Sequence, residues 1–261
     1  MEKAKVYFSD LRTSPTSNLL DKMERLLKRA GIGQLPLQDS FTAIKIHFGE
    51  PGNLAYIRPN YAARMANLLR SFGAKPFLTD CNTMYPGSRK NALEHLACAW
   101  ENGFTPMTVG CPLLIADGLK GTDDVEVPVE GGEYVKEAKI GRAVMDADVF
   151  ISLSHFKGHE MTGFGGAIKN IGMGCGSRAG KKDQHSSGKP QIDPALCRGC
   201  KRCQRECANQ GLVFNEATRK MSVDPSHCVG CGRCLGACNF DAIAFENDNA
   251  SADLNCRMAE Y

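Results

Sequence analysis

Eight of the thirteen cysteines fall in two tracts of one design, Cys197-Arg-Gly-Cys200-Lys-Arg-Cys203-Gln-Arg-Glu-Cys207 and Cys228-Val-Gly-Cys231-Gly-Arg-Cys234-Leu-Gly-Ala-Cys238. The C-x2-C-x2-C-x3-C spacing lets three thiolates wrap one face of a cubane cluster and leaves the fourth to reach a neighbouring cluster. It predicts two [4Fe–4S] clusters, one on Cys197, Cys200, Cys203 and Cys238, the other on Cys228, Cys231, Cys234 and Cys207. Zinc sites and disulfides are the competing uses of cysteine. Zinc arms are usually C-x2-C pairs set apart by a longer loop, so the spacing favours iron. The proline that usually follows the fourth cysteine is replaced by Ala208 and Asn239, which bears on rigidity and potential rather than on ligation.

The repeat reaches beyond the ligands at an offset of 31, as in Cys197 and Cys228. Ile192-Asp-Pro194 matches Val223-Asp-Pro225, Gly199 matches Gly230, Arg202 matches Arg233, and Leu212-Val-Phe214 matches Ile243-Ala-Phe245. Self-similarity of this kind marks a duplicated unit, here the two halves of a two-cluster ferredoxin. Cys81, Cys98, Cys111, Cys175 and Cys256 fall outside the spacing and read as small buried apolar groups.

A second chemical set precedes the tracts. His47, Asp80, His155, Lys157 and His159 are candidates for acid–base work, for which imidazole is suited near neutral pH. Gly163, Gly165 and Gly166 would let backbone approach a ligand closely. A helix starting near them would aim free N–H groups at an anion. Lys45, Arg89, Lys169 and Lys181 would supply positive charge for that anionic small molecule. The alternative for each residue is a solvated surface group. His155 and His159, four apart, would share a helical face, but no third ligand is near, so a single-metal site is the weaker reading. The segment 178–189, basic and without interleaved aromatics, reads as a mobile loop or anion lid rather than a nucleic-acid surface.

Alternating strands and helices must position this set. Ala4–Phe8 reads as a strand, Leu19 to Ala30 as a helix stopped by Gly31, Phe41–Phe48 as a strand, and Met65 to Phe72 as a helix ending at Gly73. Lys75–Thr79 is a strand. Ser88 caps a third helix with Leu93, Leu96, Ala97 and Trp100 on one face. Cys111–Ala116 is a strand, Glu137–Met145 a helix, and Val149–Leu153 a strand. The fold class is therefore α/β, a mostly parallel sheet with flanking helices, plus a small α+β two-cluster ferredoxin-like domain. Four apolar runs end in ionisable residues: Lys45 and His47, Asp80, Asp117, and Ser154 to His159. Ligands in open α/β sheets bind beyond the carboxyl ends of the strands, so one shared polar site is expected there.

The 261 residues divide into an α/β domain over 1–188, the two-cluster domain over 189–246 and a tail over 247–261. The net charge of +3 does not call for nucleic acid. No apolar run approaches the ~20 residues that cross a bilayer, and Met1–Asp10 lacks a signal-peptide pattern. Thiols and clusters point to a reducing cytoplasm.

The sequence resembles the family known as domain of unknown function 362, whose members are described as uncharacterised iron–sulfur-centre proteins. The resemblance is carried by Lys45-Ile-His-Phe-Gly-Glu50, Thr79-Asp-Cys-Asn-Thr-Met-Tyr85 with Gly87-Ser-Arg89, Ile115-Ala-Asp-Gly-Leu119, Ser154-His-Phe-Lys-Gly-His159, Gly163-Phe-Gly-Gly-Ala-Ile-Lys-Asn170 and both cysteine tracts. It implies cluster binding and an α/β domain and supplies no substrate. It also implies further α/β chain after the ferredoxin unit, so Asp253–Tyr261 reads as a return helix of a short form or a fragment. Cys81 stands where the family pattern often has Thr, which argues against a nucleophilic role. The expectation is an oxidoreductase whose clusters exchange electrons between a partner, a ferredoxin or flavoprotein, and an anionic substrate at the strand ends. The alternative is a non-catalytic electron-transfer module that docks onto an enzyme.

Overall fold

A capping box opens the first helix. The Asn18 side chain accepts from the amides of Leu20 and Asp21 at 2.9 and 3.0 Å, and Asp21 accepts from the Asn18 amide in return. Lys28 and Arg29 close the far end, where cations meet the negative pole of the helix. The structure, a computed structural model, describes residues 3–85, 87–159, 162–185, 189–228, 230, 232–245 and 251–261. Helix α1 (Leu19–Arg29) is followed by strand β1 (Phe41–Lys45), α2 (Pro59–Ser71), β2 (Lys75–Asp80), α3 (Ala92–Glu101), α4 (Pro106–Val109) and β3 (Leu113–Ile115). Then come β4 (Asp124–Pro128), β5 (Glu137–Gly141), α5 (Arg142–Met145) and β6 (Val149–Ser152).

Four strands form one parallel sheet in the order β3-β2-β1-β6. Lys45 lies level with Thr79 and Ser152, and Asp80 with Ile115, so the four carboxyl ends open on one edge. The central strand and its continuation bury Ala43, Ile44, Ile46 and Phe48 completely. Thr42 and Lys45 of the same strand are buried as well, so β1 is covered on both faces, as a central parallel strand is. Leu69, Leu78 and Phe104 complete this core, each large side chain contributing roughly 1.5–3 kcal/mol.

Several elements depart from the periodicity. Ala4–Phe8 forms no strand, and Val6 and Phe8 stand in solvent. Asn91, not Ser88, caps α3 by accepting from the Glu94 amide at 3.0 Å. That shifts the buried face to His95, Cys98 and Ala99, leaving Leu93 and Trp100 exposed. Glu137–Met145 is a strand followed by a single helical turn: Ala138 and Ile140 alternate inward with period two, opposite Val127 and Val125.

Beyond β6, the hairpin β7 (Lys157–His159) and β8 (Gly163–Gly165) leads into α6 (Ala167–Cys175) and α7 (Arg178–His185). Segment 178–185 is thus a helix and not a loop, with Arg178, Lys181 and Gln184 buried. The cysteine unit follows as β9 (Gln191–Ile192), α8 (Arg202–Glu206), β10 (Leu212–Asn215), β11 (Lys220–Val223), α9 (Arg233–Ala237) and β12 (Ile243–Ala244). Its duplication is written in the backbone. Left-handed φ values at Gly199, Lys201 and Gln210 recur at Gly230, Gly232 and Asp241, and α9 repeats α8 at the same offset of 31. The strands exchange partners: Leu212 pairs with Val223, and Ile243 with Ile192. Finally α10 (Ser251–Glu260) returns to α6 and α7. Its Glu260 carboxylate accepts the amides of Glu133, Tyr134 and Val135 at 2.9, 2.9 and 2.7 Å. No helix among the described residues is long and apolar enough to cross a membrane.

Candidate functional site

At the carboxyl edge of the sheet, β1 delivers Lys45 and β2 delivers Asp80 into an ion pair, Nζ to Oδ1 2.9 Å, with both side chains almost wholly buried. Lys45 also donates to Asn170 Oδ1 of α6 at 2.9 Å. The Asn170 amide in turn donates to Ser152 Oγ (2.9 Å) and Ser154 Oγ (3.1 Å), tying the end of β6 into the same network. A side chain at Gly174 would collide with Lys45 Nζ at 2.5 Å, so glycine there makes room for the lysine. Burial alone would raise the Asp80 pKa, but the charges of Lys45 and Arg89 outweigh it and hold the carboxyl well below the usual range. Its second oxygen has no hydrogen-bond donor and faces Arg89 Nη1 at 3.6 Å and His95 Nε2 at 3.7 Å. His95 is completely buried, and desolvation takes its pKa down to about 3 despite Asp80, so the ring is neutral.

Arg89 donates through Nε to Glu50 (2.9 Å) and through Nη2 to the Tyr85 hydroxyl (2.7 Å), which itself donates to Glu50 at 2.9 Å. His47 stands at the mouth of this group. Its Nδ1 accepts from the Gly49 amide at 2.9 Å, which requires an unprotonated Nδ1. Desolvation, with Arg89 and Lys45, takes its pKa to about 4. His47 is exposed, and with Nδ1 accepting from Gly49 its ring is neutral. Lys45, His47, Asp80 and Arg89 are therefore one centre.

Asp117, at the end of β3, is a neighbouring buried group. Its Oδ1 accepts from the amide and side chain of Asn82 at 2.9 and 2.8 Å, and Oδ2 has no donor. Desolvation raises its pKa to about 6, with Lys181 the main opposing charge. Lys181 donates to the Gly176 carbonyl at 2.6 Å, so it is an internal tether. Cys81 donates to the Cys175 carbonyl at 3.3 Å, and burial pushes its thiol well above the ordinary range, which removes it as a nucleophile.

The glycine-rich hairpin gathers a different set. Lys169 Nζ bonds His159 Nε2, and desolvation followed by the charges of Lys169 and Lys181 lowers the His185 pKa to about 4. Gly163 turns the hairpin at φ 74, Gly165 packs beside Lys169 and Lys157, and Gly166 precedes α6 without a side-chain cap. His155 and Lys157 are exposed. His159 lies on β7, so His155 and His159 share no helical face. Among the described residues no three His, Cys, Asp or Glu side chains converge on a single metal ion. A surface cavity of about 520 Å³, lined by Leu20, Pro59, Arg64, Asn67 and Thr108 among others, holds none of the predicted site residues.

The cysteines group as two sets. Burial raises the Cys203 thiol to about 11, and the thiols that push it further are Cys238, Cys200 and Cys197. Cys207, Cys228 and Cys234 line a separate cavity with Leu212 and Pro190. Cys231 lies outside the described residues. The Met221 amide donates to Cys197 Sγ at 3.4 Å and the Gly211 amide to Cys207 Sγ at 3.2 Å, placing donors where thiolate charge would sit. The donor set fits a cubane, in which each thiolate meets a different iron and convergence on one point is not required.

One residue joins the two regions. Arg178, with no exposed surface, donates to the carbonyls of Thr83 (3.4 Å), Lys120 and Lys90, while its guanidinium lies against Gly236 of the second tract and near Cys234. Ion pairs Lys90–Asp241 and Lys120–Glu206 flank it. The second cysteine set therefore faces the strand-end unit.

A family model described as Domain of unknown function (DUF362) matches residues 42–261. The chain belongs to that family. DUF362 thus covers both the strand-end centre and the cysteine unit in one match. The "Thylakoid-associated protein sll1697" of Synechocystis sp. (strain ATCC 27184 / PCC 6803 / Kazusa) is 28% identical over 131 residues, 48% of this chain and 35% of that protein. The DUF362 chain thus aligns with about a third of that relative's length.

Sequence reading missed Glu50, His95, Asn170 and Arg178 as members of the centre and its junction. Asn170 and Glu50 stand in the family segments, but pairing was not legible there. His95 is hidden in an amphipathic helix pattern and Arg178 in a basic run.

Proposed function

We propose that this chain is an iron–sulfur protein. Its two cysteine sets hold [4Fe–4S] clusters and serve a redox reaction of an anionic small molecule at the strand-end unit. The observation that carries this reading is the exchange of the fourth cysteines: Cys238 groups with the first tract and Cys207 with the second. Bound clusters supply one-electron chemistry. Residues 189–246 are the electron-carrying unit, 1–188 the reacting unit and 247–261 a return segment. In this reading His47 and His159 move protons, and Arg89, Lys45 and Lys169 offset negative charge. A ferredoxin or flavoprotein is the external partner, and a reducing cytoplasm suits the thiols.

Anaerobic reconstitution tests this directly: about eight irons and eight sulfides per chain are expected. Cys200→Ser and Cys231→Ser should each remove one of two electron paramagnetic resonance signals. Zinc alone, or disulfides in the tracts under anaerobic purification, would sink the reading.

The non-catalytic module remains the second reading, favoured by the burial of Lys45, Asp80 and His95 at 1, 3 and 0% exposure. Native mass spectrometry of anaerobically purified protein separates the two, because a retained small anion sides with the enzyme.

A further inference from the structure

The two halves of the duplicated unit have diverged in charge. Positions 198, 201, 202 and 205 are Arg, Lys, Arg and Arg, whereas 229, 232, 233 and 236, each 31 later, are Val, Gly, Arg and Gly. The structure gives that divergence a direction. A Cβ on Gly236 would lie 2.1 Å from Arg178 Nη1 and one on Gly232 3.3 Å from Arg178 Cγ, so these two positions face a buried guanidinium of the first unit. Their counterparts Arg205 and Lys201 are exposed, with Arg198 and Arg202, and Cys200 is exposed where Cys197, Cys203, Cys234 and Cys238 are buried. Arg219 joins the patch: its carbonyl packs against Gly199, 2.2 Å from where a Cβ would stand.

Lys201 carries the argument further. It holds φ 59 where its counterpart Gly232 holds φ 74, and a side chain in left-handed backbone is strained where glycine is not. A cation thus occupies a position whose backbone favours glycine. Its ammonium lies 3.8 Å above the Phe214 ring and 3.7 Å from the exposed Glu216. Among the described residues, Arg198, Arg202, Arg205 and Arg219 form no ion pair. These five exposed cations share the first half of the unit with exposed Cys200; of the acidic residues beside them, Glu206 is engaged by Lys120 and Glu216 by Lys201, which leaves a surface complementary to negative charge.

We propose that this face is the docking surface for an acidic one-electron carrier protein, which exchanges electrons with the centre on Cys197, Cys200, Cys203 and Cys238. The other centre, with Cys234 near Arg178, faces the strand-end unit. The inference rests on the two-cluster reading above. One electron leaves the reduced carrier and is gained at the first centre; no bond forms or breaks and no proton moves. Opposite charges at such a surface speed association by about 10–10³-fold, an effect that salt removes.

Stopped-flow reduction by a small acidic [2Fe–2S] ferredoxin tests it on the full cluster-loaded chain. The rate constant should fall as ionic strength rises. The combined reversal Arg198→Glu, Arg202→Glu and Arg205→Glu should lower it about tenfold or more at low salt and abolish the salt dependence. Reduced methyl viologen, a small cation, should reduce that variant no more slowly than the parent. Lys5→Glu, Arg29→Glu and Lys75→Glu together change net charge equally on the first unit, and an equal loss there would overturn the proposal. So would an unchanged rate in the first variant, or salt-dependent duplex-DNA binding lost with the same reversals while carrier kinetics stay unchanged. If the triple variant fails to load, Arg198→Glu and Arg205→Glu are read singly, each slowing the reaction by about twofold or more. Iron and sulfide assays on the parent come first, so failure of the two-cluster reading is visible before any carrier is added.

Discussion

Asp80 gives the strand-end centre its character because it is a buried charge with several claimants. Lys45 holds one oxygen, while Arg89 and His95 approach the other without reaching hydrogen-bond distance. The pair alone is no proof of net stability, since desolvating two charges offsets much of their attraction. Removing one partner is another matter. Lys45→Met should destabilise the protein by about 3–5 kcal/mol, because it leaves Asp80 charged in the core and Asn170 Oδ1 without its donor. Adding Asp80→Leu should recover part of that loss, giving a double variant less destabilised than the sum of the singles. Urea unfolding followed by Trp100 fluorescence reads both. A loss under about 1 kcal/mol for Lys45→Met would mean that the ion pair is not formed as described.

Helix α6 shows how one element serves several neighbours. Asn170 closes the strand ends, Gly174 admits Lys45, and Gly172 lets α10 approach so closely that a Cβ would sit 1.9 Å from the Met258 carbonyl oxygen. Gly172→Ala should therefore lift α10, although alanine is the better helix former by about 1 kcal/mol. Hydrogen exchange should rise across 252–260 and at 133–135, whose amides Glu260 caps, while β1 and β2 keep their protection. Unaltered exchange would show that the helices separate at no cost. The same element marks the limit of sequence reading. Parallel strands were legible from continuous apolar runs, and the shared edge from Lys45, Asp80, Asp117 and Ser154 at their ends. Close approaches such as Gly172 to Met258 join positions distant in sequence and leave no local period. The stretch 178–189 reads as a mobile loop or anion lid because charge dominates its composition, yet 178–185 is helical. Its helix forms because Arg178 and Lys181 spend their charge on buried carbonyls.

At the scale of the molecule, two cores of unequal strength meet at one arginine. The strand-end unit is held by a large apolar cluster, whereas four of the nine buried residues in the cysteine unit's cluster are cysteines. Its strands β9 and β12 are two residues long. So small an apolar set does not support a fold alone, and metal-ligand bonds would supply the difference. Stripping iron with a chelator under oxygen should then unfold residues 191–245 while the first unit stays folded. Hydrogen exchange should report rapid exchange in β10 and β11 and continued protection in β1 and β2, with Trp100 emission unmoved. Arg178 explains why the damage should stop at the junction: among the described residues its three side-chain hydrogen bonds, and its amide's bond to Gly121, all go to first-unit carbonyls, so it keeps them when the second tract leaves. Simultaneous loss of both units would mean that the contacts around Gly236 hold the first unit up, and that the arginine is a shared support and not a platform.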